Sequence, residues 1–221
     1  MCGRFIITEP ADEMARLFEA APANDLPEVP NYNVCPTNLV HAVTFEAGQR
    51  RLRALRWGFV PHWAKAPNEG PLLINARAET IAEKPAFRAA ARERRCLIPA
   101  SGFYEWTKDE NGRRLPWFIR APDDAPLAFA GVWQDWARGE AAMTACAIVT
   151  TAANARMAEL HHRMPVILAR GDWPLWLGEA GKGAATLMKA APEDALTWHR
   201  VDPRVNSNRA AGPELIAPLA A

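Results

Sequence analysis

The residue with the most chemical potential in this chain is the second one. Once Met1 is removed, Cys2 carries a free α-amine and a thiol on adjacent carbons, a pair that no internal residue offers. An α-amine has an unperturbed pKa of about 7.7–8.0, against about 10.4 for lysine, so roughly a tenth of it is unprotonated at neutral pH. Such an amine attacks an aldehyde to give an imine, and the neighbouring thiol can close a five-membered thiazolidine on it. Both steps move protons, so an acid–base side chain nearby is expected to assist. Position alone leaves other readings open. Cys2 can be an incidental residue of a tucked-in terminus. An N-terminal Cys-Gly also opens the N-terminal-nucleophile amidohydrolases, where the thiol attacks an amide and the α-amine acts as base.

Composition narrows what surrounds that residue. The 221 residues are 49% hydrophobic and 23% charged, enough for a sizeable core without disulfides or metal, and are expected to form a single domain over 1–221. Net charge is only +1, so any nucleic-acid site must be a local basic patch. The cysteines Cys2, Cys35, Cys96 and Cys146 form no close pair, and the five histidines make no ligand motif, so no metal and no cofactor is expected. The N-terminus lacks a signal-peptide pattern and no apolar run is long enough to span a bilayer, which points to a cytoplasmic protein. Nine tryptophans is a high count for this length. Most should pack in the core, but Trp57 and Trp63 sit in RWGFVPHW with a cation, Gly and Pro, a composition suited to stacking single-stranded bases. A non-catalytic reader of single strands could be built from the Trp and Arg residues alone.

The elements that must position these groups read as follows. Thr8 can cap a helix with Pro10 in its first turn and Met14, Leu17 and Phe18 on one face. Residues 21–33 read as loop, and 39–45 and 51–59 as strands. Residues 79–94 look helical with a break at Pro85; 95–98, 103–106, 117–120, 127–136 and 143–150 look like strands. A short helix is expected over 152–160, a strand over 165–169 and a helical turn over 173–177. The sum is an α+β fold with a β-rich, curved or barrel-like sheet and peripheral helices.

The motifs, taken together and in order, are more specific than any of them alone. The chain opens MCGRF and continues YNVCPT (32–37), RWGFVPHWA (56–64), INARAET (74–80), RCLIPASGFYEW (95–106), LHHRMPVIL (160–168) and VNSNRAAGPELI (205–216). This series resembles the SOS-response-associated peptidase (SRAP) family over nearly the whole chain. The resemblance implies a protein that crosslinks covalently to abasic sites in single-stranded DNA through an N-terminal Cys and shields the lesion. It also implies an autopeptidase that removes what precedes that Cys, here Met1.

Carried onto this chain, the resemblance makes Cys2 the nucleophile and Asn75, Glu105 and His161 its catalytic partners. Glu105 lies in an apolar-aromatic surround suited to carrying a proton to the ring-opened sugar or the imine. His161, with an unperturbed pKa of about 6.5, is the second proton carrier, selected over His162 by the H-x-R-M-P register. Asn75 can hold the amine and a sugar hydroxyl without competing as a base. Arg4, Arg77 and Arg163, each two residues beyond a catalytic position, are expected to clamp phosphates. Pro36 and Thr150 are further DNA contacts that the resemblance implies. The expected partner is single-stranded DNA bearing abasic sites, bound by a monomer, with no membrane.

Overall fold

The computed structural model describes residues 2–219. In chain order, β1 (Phe5–Ile7) and helix α1 (Ala11–Phe18) lead through β2 (Ala21–Pro22) and β3 (Asn31–Val34) to β4 (Leu39–Glu46) and β5 (Gln49–Trp57). Then come β6 (Asn75–Arg77), α2 (Arg88–Glu93), β7 (Arg95–Ala100), β8 (Gly102–Lys108), β9 (Arg114–Arg120), β10 (Leu127–Arg138) and β11 (Ala141–Ala152). The last elements are β12 (Arg163–Pro165), α3 (Trp173–Leu177) and β13 (Thr197–Arg200), with short 3-10 turns between them.

Five of these strands close into a barrel. β5, β4, β7, β10 and β11 pair antiparallel in that order, and β11 returns to β5 in parallel through Ala145–Arg56 and Cys146–Trp57. Closure leaves these strands few open edges. The β4–β5 hairpin turns on Ala47 and Gly48, both at positive φ (50° and 80°), the geometry that matches strand twist in a two-residue loop. Leu52, Leu55, Leu97, Phe129 and Ile148, all fully buried, belong to the main core.

A second sheet, ordered β13-β9-β8-β1-β3, packs on the barrel through its aromatic residues. Phe5 meets Trp57 edge-on at 5.1 Å, and Phe103 meets Phe129 at 5.8 Å. Phe5 and Phe103 are themselves cross-strand partners, so one contact layer fixes the height of β1 and β8 together. That layer matters because Cys2 lies just before Phe5 and Glu105 just after Phe103.

β11 is the spine of the other half of the site. Along one edge it pairs first with β10 and then with β12; along the other it pairs with β5 and then, in parallel, with β6. Its C-terminal end therefore carries the Asn75–Arg77 strand on one side and the Arg163–Pro165 strand on the other.

Several local expectations are corrected. The stretch 79–94 is mostly turns, with a helix only over Arg88–Glu93, after Pro85, which supplies no amide. Thr8 does not cap α1; its amide and hydroxyl both bond Ser101 Oγ, and Pro10 holds the cap position. In place of a helix over 152–160 there is a 3-10 turn, Met157–Glu159, whose leading amides are capped by Asn154 Oδ1 (Met157) and the Glu193 carboxylate (Ala155 and Arg156). The loop expected over 21–33 contains β2 and the start of β3. In place of a strand over 165–169, the strand is Arg163–Pro165, with Ile167 making an isolated bridge to Phe129.

Candidate active site

Cys2 is fully buried. The Tyr104 amide donates to the Arg4 carbonyl at 2.9 Å, tying the entry of β1 to β8 one residue before Glu105. Glu105 is buried as well, at 2% exposure. Burial pushes the Cys2 thiol well above its ordinary range, and the neighbouring Glu105 charge pushes it the same way. At neutral pH the sulfur is thus a thiol, held next to a carboxylate. Met1, whose removal would free the Cys2 amine, lies outside the described residues.

Asn75 comes to Cys2 from the barrel side. The Trp57 indole N–H donates to the Ile74 carbonyl at 3.0 Å, and Asn75 pairs with Ile148 on β11. So fixed, Asn75 Nδ2 donates to the Cys2 carbonyl at 3.0 Å. Its Oδ1 is buried with no hydrogen-bond partner among the described residues. A buried amide oxygen is costly to leave unpaired, which suits a site that completes itself with a ligand.

His161 precedes β12. Its ring stacks on His162 with centroids 4.4 Å apart, and Nδ1 lies 3.0 Å from the Arg163 amide and 3.1 Å from the Arg163 carbonyl. The neighbouring imidazole of His161 and then desolvation lower the His162 pKa below its ordinary value. The Arg163 guanidinium is buried and reaches Glu79 through two bonds of 2.7 and 2.9 Å, and Thr150 O at 2.8 Å. These bonds hold the Glu79 carboxyl below its ordinary pKa.

The expected DNA contacts divide. Trp57 is corrected: it has no exposed surface, packs on Phe5 and spends its N–H on Ile74, so it cannot stack a base. Thr150 is corrected likewise, being fully buried with its hydroxyl 3.3 Å from Arg163. Arg4 and Arg163 are committed inside the protein, Arg4 to Asn33 Oδ1 at 2.6 Å and the Val205 carbonyl at 2.9 Å. Arg77 is exposed, Trp63 is 47% exposed and Pro36 is half-buried. Trp63, Arg77 and Asn75 line one cavity of about 460 Å³, with Leu72, Lys84 and Phe87 as further walls. Lys84 and Glu79 were not singled out from sequence; Glu79 stands within INARAET but was given no role there, and Lys84 lies outside the motifs. Among the described residues, no helix is long and apolar enough to cross a membrane.

The chain matches known proteins over nearly its whole length. The family model described as SOS response associated peptidase (SRAP) matches residues 1–208. The chain is 36% identical over 221 residues to the abasic site processing protein YoaM of Bacillus subtilis, covering 98% of this chain and 97% of that protein. It is 30% identical over 228 residues to the abasic site processing protein YedK of Escherichia coli, covering 99% and 100%. A crystal structure of a Bacteroides thetaiotaomicron protein shares the fold, with a TM-score of 0.86 at 23% identity over 99% of this chain and 100% of that one. On the match of family model and relatives alike, the chain belongs to the SOS response associated peptidase (SRAP) family.

Proposed function

We propose that this protein processes abasic sites in single-stranded DNA by forming a covalent thiazolidine with Cys2. The observation that carries the reading is the convergence of Asn75 and Glu105 on Cys2, in a chain whose relatives are named abasic site processing proteins.

The chemistry follows from the groups present. With Met1 gone, by autoproteolysis at Cys2 or by a general aminopeptidase, the α-amine attacks C1′ of the ring-opened sugar. The carbinolamine loses water to give an imine. The Cys2 sulfur then adds to the same carbon and its proton passes to the nitrogen, so the adduct equals protein plus DNA minus one water. Because the thiol is held protonated, the amine leads and the sulfur follows. Glu105 carries protons between carbinolamine, water and sulfur; His161 is the second carrier. Asn75 fixes the Cys2 backbone and offers Oδ1 to the sugar. Arg77, Trp63 and Pro36 contact the flanking strand, while Arg4 and Arg163 act from within, shaping the floor beneath it.

Incubation with a uracil-DNA-glycosylase-treated single strand, followed by a denaturing gel, tests this. An SDS-stable adduct is expected from the parent and none from Cys2→Ala. Glu105→Gln is expected to slow it by about 10²–10⁴-fold. Glutamine hydrolysis without an adduct would favour the amidohydrolase chemistry instead, and undiminished single-strand binding with no adduct from either protein would favour a reader.

A further inference from the structure

We propose that Glu79 is a positioning residue for His161, acting through Arg163. The inference rests on the crosslinking role assigned above, but its structural part is readable without DNA.

β12 is a three-residue strand on the edge of its sheet, and Arg163 is its first residue. Short edge strands fray at their ends. Here the first residue is clamped by its own side chain. The Arg163 guanidinium spans from β12 to Thr150 on β11 and ends in a two-bond fork on Glu79, 84 residues earlier in the chain. A bidentate guanidinium–carboxylate pair fixes orientation as well as position. The Arg163 side chain is about 10% exposed, so the clamp is shielded from solvent on the guanidinium side.

What the clamp holds is the backbone that faces His161. Arg163 N–H and C=O both lie within hydrogen-bond distance of His161 Nδ1, at 3.0 and 3.1 Å. When Nδ1 carries its lone pair it accepts from the N–H, and the proton of the neutral ring sits on Nε2. When Nδ1 carries a proton it donates to the C=O, and Nε2 is then a base, or an acid once the ring is charged. One residue's backbone therefore serves His161 in each protonation state without a ring flip. That is the requirement for a group that both gives and takes protons. Glu79 lies beyond that contact and needs no contact with substrate to control it.

Two measurements decide the matter. The first is the rate of adduct formation for Glu79→Ala, His161→Gln and the double variant. Glu79→Ala is expected to slow the reaction about tenfold, within the coupling seen in one hydrogen-bond network, and to add nothing to His161→Gln. If Glu79→Ala slows the His161→Gln protein by the same factor, Glu79 does not act through His161. The second is the imidazole ¹⁵N spectrum of DNA-free protein. The His161 resonances should shift in the milder Glu79→Gln, which also covers the case in which the alanine variant fails to fold, while those of His41 stay in place. An unchanged His161 spectrum overturns the proposal. Failure of the parent to crosslink would instead remove the proposed function and leave the spectral result standing.

Discussion

Asn75 Nδ2 donates to the carbonyl of Cys2 at 3.0 Å, joining a barrel-side strand to a residue 73 positions away. The acceptor is the carbonyl and not the amine, so loss of Met1 leaves this bond in place. It holds the Cys2 backbone against the barrel-side strand. Asn75→Asp removes the donor and sets a charge against the carbonyl and against Glu105. An unsatisfied buried group costs about 1–3 kcal/mol, so adduct formation under single-turnover conditions should slow about 10–100-fold. An unchanged rate would detach Asn75 from the mechanism.

The Cys2 thiol offers a second handle. Its thiolate is disfavoured by burial and then by the Glu105 charge. Glu105→Gln removes the second cause, lowers the thiol pKa and raises the thiolate fraction at a given pH. Alkylation of Cys2 by iodoacetamide, followed by peptide mapping, should therefore be faster in Glu105→Gln even as crosslinking becomes slower. Slower alkylation in the variant would show that Glu105 does not oppose the thiolate.

His41 is expected to govern part of the acid sensitivity. It is 2% exposed and burial lowers its pKa to about 4. A histidine held neutral in the fold but free to protonate in the unfolded chain contributes its full stability above about pH 6.5 and loses it as pH falls toward 4. The loss is on the order of 3 kcal/mol. Urea melts of the parent and of His41→Leu between pH 7.5 and 4.5 should show a shallower decline in the variant. Parallel declines would remove His41 as the cause.

The two tryptophans of RWGFVPHW should behave oppositely. Trp57→Ala opens the core and is expected to cost about 3–5 kcal/mol of stability. Trp63→Ala should leave the thermal midpoint near that of the parent and weaken single-strand affinity by about 1–3 kcal/mol, the range for one stacked base. Equal DNA affinity for Trp63→Ala and parent would take Trp63 out of the interface.

The β-rich fold was legible because strand runs such as AFAGVWQDW carry it locally, and the catalytic candidates because each stands in a motif of fixed register. A curved or barrel-like sheet was expected as well, but not which strands close it, since closure depends on a short parallel contact between β5 and β11 that leaves no periodic trace. Trp57 and Trp63 share one composition window, yet one is sealed and the other half-exposed, because burial is decided by what packs across from a residue. The Glu79–Arg163 fork joins residues 84 apart, and neither carries a local mark of the other.

The central claim is that a terminal amine and a sulfur on one residue capture the sugar carbon together. It is tested most directly by mixing Met1-free protein and a Met1-retaining form with the same abasic oligonucleotide and weighing the products intact. The account predicts one adduct, built only from the Met1-free chain and lighter than the sum of its parts by one water. A stable adduct forming equally fast on chains that still carry Met1 would contradict it.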